Sequence, residues 1–263
     1  MTAPDPGKPA RRRRVPTPGA MAALGLALLL VTGLVFLASR SLLDQPPIQR
    51  SATLGIDSGP APAELQPVAS PGGGSGAPEV DPAWLATVAG RTGIPVPALR
   101  AYARVQLVDT AGCDVGWTTL AGIGWIESQH GTLDGRTIDD SGHPSRPILG
   151  PALNGHGKYA AIPSTPDSLA YHDDRRWEHA VGPMQFLPSS WRTWAADGDG
   201  DGTADPQDLD DAAATAAHYL CASGTDLASG AGWQTAILSY NHAQEYVDAV
   251  RGAALSYAEQ AAG

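Results

Sequence analysis

Gly122-Ile123-Gly124-Trp125-Ile126-Glu127-Ser128 is an apolar run interrupted by a single carboxylate, and its reading decides the fold. On a helix, Glu127 shares a face with Gly124 and Ile123, three and four residues back, and with Leu120 one turn further. A carboxylate set in an apolar stripe is costly to ionise, so its pKa rises toward the range a general acid needs near neutrality. Two glycines inside a helix cost about 1 kcal/mol each relative to alanine, so a packed neighbour or a bound ligand has to compensate. The plainer alternative is a surface glutamate on a helix whose glycines serve packing alone.

Outward from this run the patterning is helical. Asp81-Pro82-Ala83-Trp84 reads as a helix start, with Asp81 as N-cap and Pro82 at the first position. Val96 opens a second helix, with Leu99, Tyr102, Ala103 and Gln106 at helical spacing. Asp114 is a candidate cap for a third, over Val115 to His130, which Gly131 stops. Thr132 to Glu178 is rich in Gly, Pro, Asp and His with little periodicity, a length of irregular chain usually retained for function; a small strand pair is expected there. Further helices are expected over Ser189 to Ala196, Pro206 to Cys221 and Trp233 to Ala253. The class is mainly α, one folded domain over 81–263, large enough to bury a core.

The chain before it is different. Ala20 to Ser39 is an uncharged run of 20 residues, enough at about 1.5 Å per residue to cross a bilayer core of roughly 30 Å. Lys8 and Arg11 to Arg14 precede it, so residues 1–19 read as a cytoplasmic basic tail and the rest as exported. A cleaved signal peptide is the rival; its apolar core is usually shorter, about 7–15 residues, and Phe36-Leu37-Ala38-Ser39-Arg40 is a poor cleavage site. Residues 40–80 carry 7 prolines and 6 glycines and read as a disordered linker, flexible around Pro71-Gly72-Gly73-Gly74-Ser75-Gly76. Met1 to Val80 holds 7 basic and 5 acidic residues, Asp81 to Gly263 holds 10 and 22. An acidic folded part excludes the basic face that nucleic acid needs. In an oxidising compartment Cys113 and Cys221 suggest a disulfide, with two small buried thiols as the alternative.

Two more clusters could carry chemistry. Gly182-Pro183-Met184-Gln185-Phe186-Leu187-Pro188-Ser189-Ser190 is a shaped turn entering a helix capped by Ser189 or Ser190. Gln185 in it could bond a sugar hydroxyl or amide, or a buried backbone group. Ala236-Ile237-Leu238-Ser239-Tyr240-Asn241 sets a phenol and an amide at the end of an apolar helical run. Separately, Asp197-Gly198-Asp199-Gly200-Asp201-Gly202-Thr203-Ala204-Asp205-Pro206-Gln207-Asp208 fits the twelve-residue EF-hand-like calcium loop, with Asp197, Asp199, Asp201, the Thr203 carbonyl and Asp208 as ligands and Asp205 through water. Position 12 is Asp where the template has Glu. A solvated Asp/Gly turn is the alternative. The histidines show no zinc spacing, and no P-loop or dinucleotide fingerprint is present.

Taken in order, E-S, G-x-M-Q-x-x-P-S and A-x-x-x-Y-N resemble the three signature motifs of lytic murein transglycosylases of the membrane-bound B type, enzymes of the lysozyme-like superfamily. The resemblance covers about Ile94 to Val250. It implies an α+β lysozyme-like fold, peptidoglycan glycan strands as substrate, and cleavage of the β-1,4 bond between MurNAc and GlcNAc to leave 1,6-anhydroMurNAc ends. Glu127 would be the single acid/base, with Ser128, Met184, Gln185, Phe186, Tyr240 and Asn241 on the substrate side. Ile162 to Asp167 departs from the family's acidic pattern. Ordinary glycosidases use two carboxylates about 5–9.5 Å apart, and no second acid here has so apolar a setting: Asp134, Asp139, Asp140, Asp173 and Asp174 lie in loop-like sequence. A single acid suffices if the substrate's N-acetyl oxygen attacks the anomeric carbon. The ion is expected to be structural calcium, and the chain a monomer held at the cell membrane. A hydrolytic muramidase and a non-catalytic calcium-stabilised wall-binding module are the alternatives.

Overall fold

A computed structural model of the chain describes residues 65–70, 79–108, 112–157, 160–223 and 226–263, all within the compact unit Asp57–Gly263. The basic tail, the apolar run 20–39 and most of the linker lie outside the described residues. Among those described, no helix is long and apolar enough to cross a membrane.

Eight α-helices carry the fold in this part: α1 (Pro82–Thr92), α2 (Val96–Val108), α3 (Trp117–Ser128), α4 (Leu169–His172), α5 (Pro188–Trp194), α6 (Leu209–Ser223), α7 (Gly230–Tyr240) and α8 (Gln244–Ala262). α1 starts as its sequence requires: the Asp81 carboxylate accepts from the Trp84 N–H at 2.8 Å, and Gly93 ends the helix at φ 71°. α3 is apolar on every side, and Trp117 through Gly124 are all buried, which makes it a central core helix rather than a surface one. It packs most extensively on α8, and α2 packs on α6. The two glycines of α3 are sites of close approach. A Cβ on Gly122 would stand 2.8 Å from the Val250 carbonyl oxygen on α8, and one on Gly124 would meet the Tyr102 hydroxyl.

Several boundaries differ from expectation, each for a local reason. α3 begins at Trp117 with Gly116 as its cap; Asp114 is not the cap, being in the left-handed region at φ 55°. It ends at Ser128 because Gln129 and His130 turn left-handed before Gly131 does. α5 takes Pro188 as its first residue, so neither Ser189 nor Ser190 caps it. The single helix expected over Trp233 to Ala253 is two: Asn241 is extended, at φ −146° and ψ 124°, and breaks α7 from α8. Between α3 and α5 no strand ladder forms among the described residues. Isolated antiparallel bridges, such as Leu149 with Val181 and Pro163 with Trp177, take its place. Cys113 and Cys221 are disulfide-bonded, Cα atoms 5.7 Å apart, joining the entry of α3 to the end of α6. Within the expected linker, Pro67 is buried and Ala69 pairs with Val80.

Candidate active site

Glu127 stands near the last position of α3, half-buried at its edge. Burial pushes its carboxyl from 4.5 up to about 7; a hydrogen bond from the Tyr246 hydroxyl to Oε1, at 2.6 Å, pulls the other way. Tyr246 lies on the first turn of α8, the helix that begins after the Asn241 break. Its ring stacks on Tyr240 with centroids 6.4 Å apart and planes 6° apart. The Tyr240 hydroxyl in turn donates to the Met184 carbonyl at 2.8 Å. Glu127, the turn 182–186 and the end of α7 are therefore joined through two phenols. Both phenols are held far above their ordinary pKa by burial and by the nearby Glu127 charge, so they act only as neutral hydrogen-bonding groups.

The residues expected beside Glu127 divide into two sets. Ser128 is 1% exposed. Its hydroxyl donates to the Pro183 carbonyl at 2.5 Å and accepts from the Gly131 N–H at 2.8 Å. Met184 and Phe186 are buried too, the latter in edge-to-face contact with Tyr240 and Trp191. These three are corrected from substrate contacts to supports, since side chains so enclosed cannot touch a polymer. Gln185 is half-buried at φ 51°, its Nε2 donating to the Gly182 carbonyl at 2.9 Å. Asn241 is exposed, and its Oδ1 accepts from the Ala243 N–H at 3.3 Å. Tyr246 is the member that the sequence reading missed. Its only signal was an aromatic six residues beyond Tyr240, and that becomes visible once the helix is known to break at Asn241.

The loop acids stay in their own loops. Asp134 pairs with Arg136 at 3.2 Å, and Asp139 accepts from Ser141 and His143. Asp174 accepts from Arg176, Trp177 and His179, which hold its carboxyl down to about 2.

The acidic run curls as a cation loop does. The Asp197 carboxylate accepts from the Gly200 and Gly202 N–H groups, Asp199 from Asp201, and Asp201 from Thr203. Carboxylate oxygens of Asp197, Asp199 and Asp211 all lie within 4.8 Å of one another. Burial and the charges of Asp199 and Asp197 raise the Asp211 carboxyl to about 6. Three converging acids repel one another, and all-oxygen donors suit a hard divalent ion. Asp201 and Thr203 stand outside this triad. Asp208 is corrected: it is buried, its Oδ1 accepts from the Asp210 N–H at 2.7 Å, and Oδ2 lies 3.4 Å from His143. Asp211, three residues on and inside α6, is the acid that converges with Asp197 and Asp199. The loop also abuts the turn under Glu127. Gly182, at φ 76°, is crossed so closely by the Pro206 carbonyl that no Cβ could fit, and Gln207 bonds both the N–H and the carbonyl of Ile148.

Residues 176–251 match the family described as "Transglycosylase SLT domain". That span holds the turn 182–186, the acidic loop, Tyr240 and Tyr246; Glu127 precedes it. Among solved structures, two of the Escherichia coli lytic transglycosylase SLT35 are similar. The one in complex with bulgecin A is 15% identical over 70% of this chain and 76% of that one, at a TM-score of 0.39. The one in complex with calcium is 16% identical over 70% and 77%, at 0.41. Superposition this loose fixes no residue correspondence. No curated protein matches.

Proposed function

We propose that this chain, a peptidoglycan lytic transglycosylase by the family of its 176–251 segment, cleaves the MurNAc–GlcNAc β-1,4 bond with Glu127 as sole acid/base and releases 1,6-anhydroMurNAc ends. The observation that carries the reading is one carboxyl poised at about 7 and held by Tyr246. Neutral Glu127 gives its proton to the glycosidic oxygen as the bond to C1 breaks. The substrate's own N-acetyl oxygen closes on C1 and supplies the nucleophile that a second carboxylate supplies elsewhere. The Glu127 carboxylate then takes the proton of the muramic 6-hydroxyl, whose oxygen displaces the acetamido oxygen from C1. No water enters. Tyr246 steadies the carboxyl through both transfers, since it donates to either charge state. Gln185 and Asn241 are the polar groups near enough to the surface to meet sugar, over the support of Ser128, Met184 and Phe186.

Calcium fits the triad Asp197, Asp199 and Asp211, where it would neutralise converging charge and stiffen the loop that backs Gly182. Its part is structural. Residues 20–39 hold the enzyme to the cell membrane with the catalytic domain outside and residues 1–19 in the cytoplasm, and the enzyme acts as a monomer.

Glu127→Gln tests the reading on purified peptidoglycan. The variant is expected to fold, to bind glycan and to release no soluble muropeptide; release at the wild-type rate would reject Glu127 as the acid.

A further inference from the structure

Leu65–Ser70 belongs by composition to the linker, yet it is fastened to the start of α3. Its backbone runs antiparallel to the residues entering α1. The Ser70 N–H donates to the Glu79 carbonyl at 2.8 Å, and the Asp81 N–H to the Val68 carbonyl at 2.7 Å. Two side chains then tie this strap to α3. The indole N–H of Trp117, which is fully buried, donates to the Leu65 carbonyl at 3.0 Å. Gln106 Oε1 accepts from the Trp117 backbone N–H at 2.9 Å, while Gln106 Nε2 donates to Gln66 Oε1 at 2.8 Å. The cap residue of α3 is Gly116, with no side chain to satisfy the first amides. Gln106 supplies the missing acceptor from another helix. The Trp117 N–H fixes which way that amide points, because only its oxygen end can accept, and Gln66 Oε1 holds the Nε2 end in place.

We propose that Gln66 and Gln106 are positioning residues: the strap sets the N-terminal end of α3 and, through the rigid helix, the place of Glu127 against Tyr246. The inference rests on Glu127 being the acid/base. Trp117 and Glu127 lie ten residues apart on α3, about 15 Å at the usual rise, so a slide at one end arrives whole at the other. Reacting groups displaced by about 1 Å can lose on the order of 100-fold in rate. A segment that merely tethered the domain would need none of these bonds.

The test uses the full chain with soluble glycan strands. Turnover is measured together with the ionisation midpoint of the Glu127 carboxyl, read by carbon NMR. Gln66→Ala and Gln106→Ala are expected to lower kcat about tenfold, with KM little changed and the Glu127 midpoint moved. Gln66→Glu keeps the acceptor that Gln106 Nε2 requires and should behave as wild type. Unchanged kcat and midpoint in both alanine variants would overturn the proposal, as would loss in Gln66→Glu equal to that in Gln66→Ala. Should the wild type cleave nothing, the proposed function falls, and the midpoint alone decides the strap: a shift in the alanine variants supports it, and no shift rejects it.

Discussion

Glu127 is held where an ionised carboxylate is unwelcome, and that has a stability consequence of definite sign. Its pKa in the folded chain stands near 7 against an ordinary 4.5, so folding favours the protonated form. That stabilisation is complete below the ordinary value and is lost as pH rises through about 7. At about 1.4 kcal/mol per pKa unit the loss is at most about 3.5 kcal/mol, less for a half-buried group. Glu127→Gln should therefore be about 1–3 kcal/mol more stable than wild type at pH ~8 and nearly equal to it at pH ~4. Chemical denaturation at the two pH values checks this, and a destabilised variant at the higher pH would contradict it. Activity should fall along an alkaline limb centred near 7. Tyr246→Phe removes the donor that favours the carboxylate, so that limb should move to higher pH while kcat drops about tenfold at neutrality. A pH–rate profile reads both effects.

At the scale of the element, the cation loop and α6 make the sharpest test, because the twelve-residue template and the folded chain disagree about the last acid. Calcium should raise the melting temperature of wild type and of Asp208→Asn, but not that of Asp211→Asn. Thermal melts with and without a chelator decide it; the opposite pattern would restore the template. The reason the template misplaced this acid is geometric: Asp208 sits where the chain enters α6 and turns inward, so the next acid able to face Asp197 is one helical turn on. The same limit explains the rest of what was legible. Caps that depend on neighbours in sequence, such as Asp81, could be read directly. Glu127 in its apolar stripe could be read as well. What depends on distant chain could not. Gln106 caps α3 from another helix, Tyr246 reaches Glu127 only because Asn241 breaks the run, and Ser128 looked like a substrate contact until Pro183 was found above it. The glycines of α3 were legible as a cost, but not as room for the Tyr102 hydroxyl and the Val250 carbonyl.

For the whole molecule, the Cys113–Cys221 bond closes a loop that contains Glu127, the acidic run and the turn between them. Reduction should cost about 2–5 kcal/mol of stability and leave turnover intact at temperatures well below the lowered melting point. Denaturation with and without reductant measures the first, and muropeptide release the second. On the proposed mechanism the domain, its strap and its acidic loop all serve one carboxyl that works without a partner acid and without water. Digestion of purified peptidoglycan in oxygen-18 water, followed by mass spectrometry of the muropeptides, examines that claim most directly. The account predicts 1,6-anhydroMurNAc ends free of the heavy isotope, and reducing ends carrying it would contradict the account.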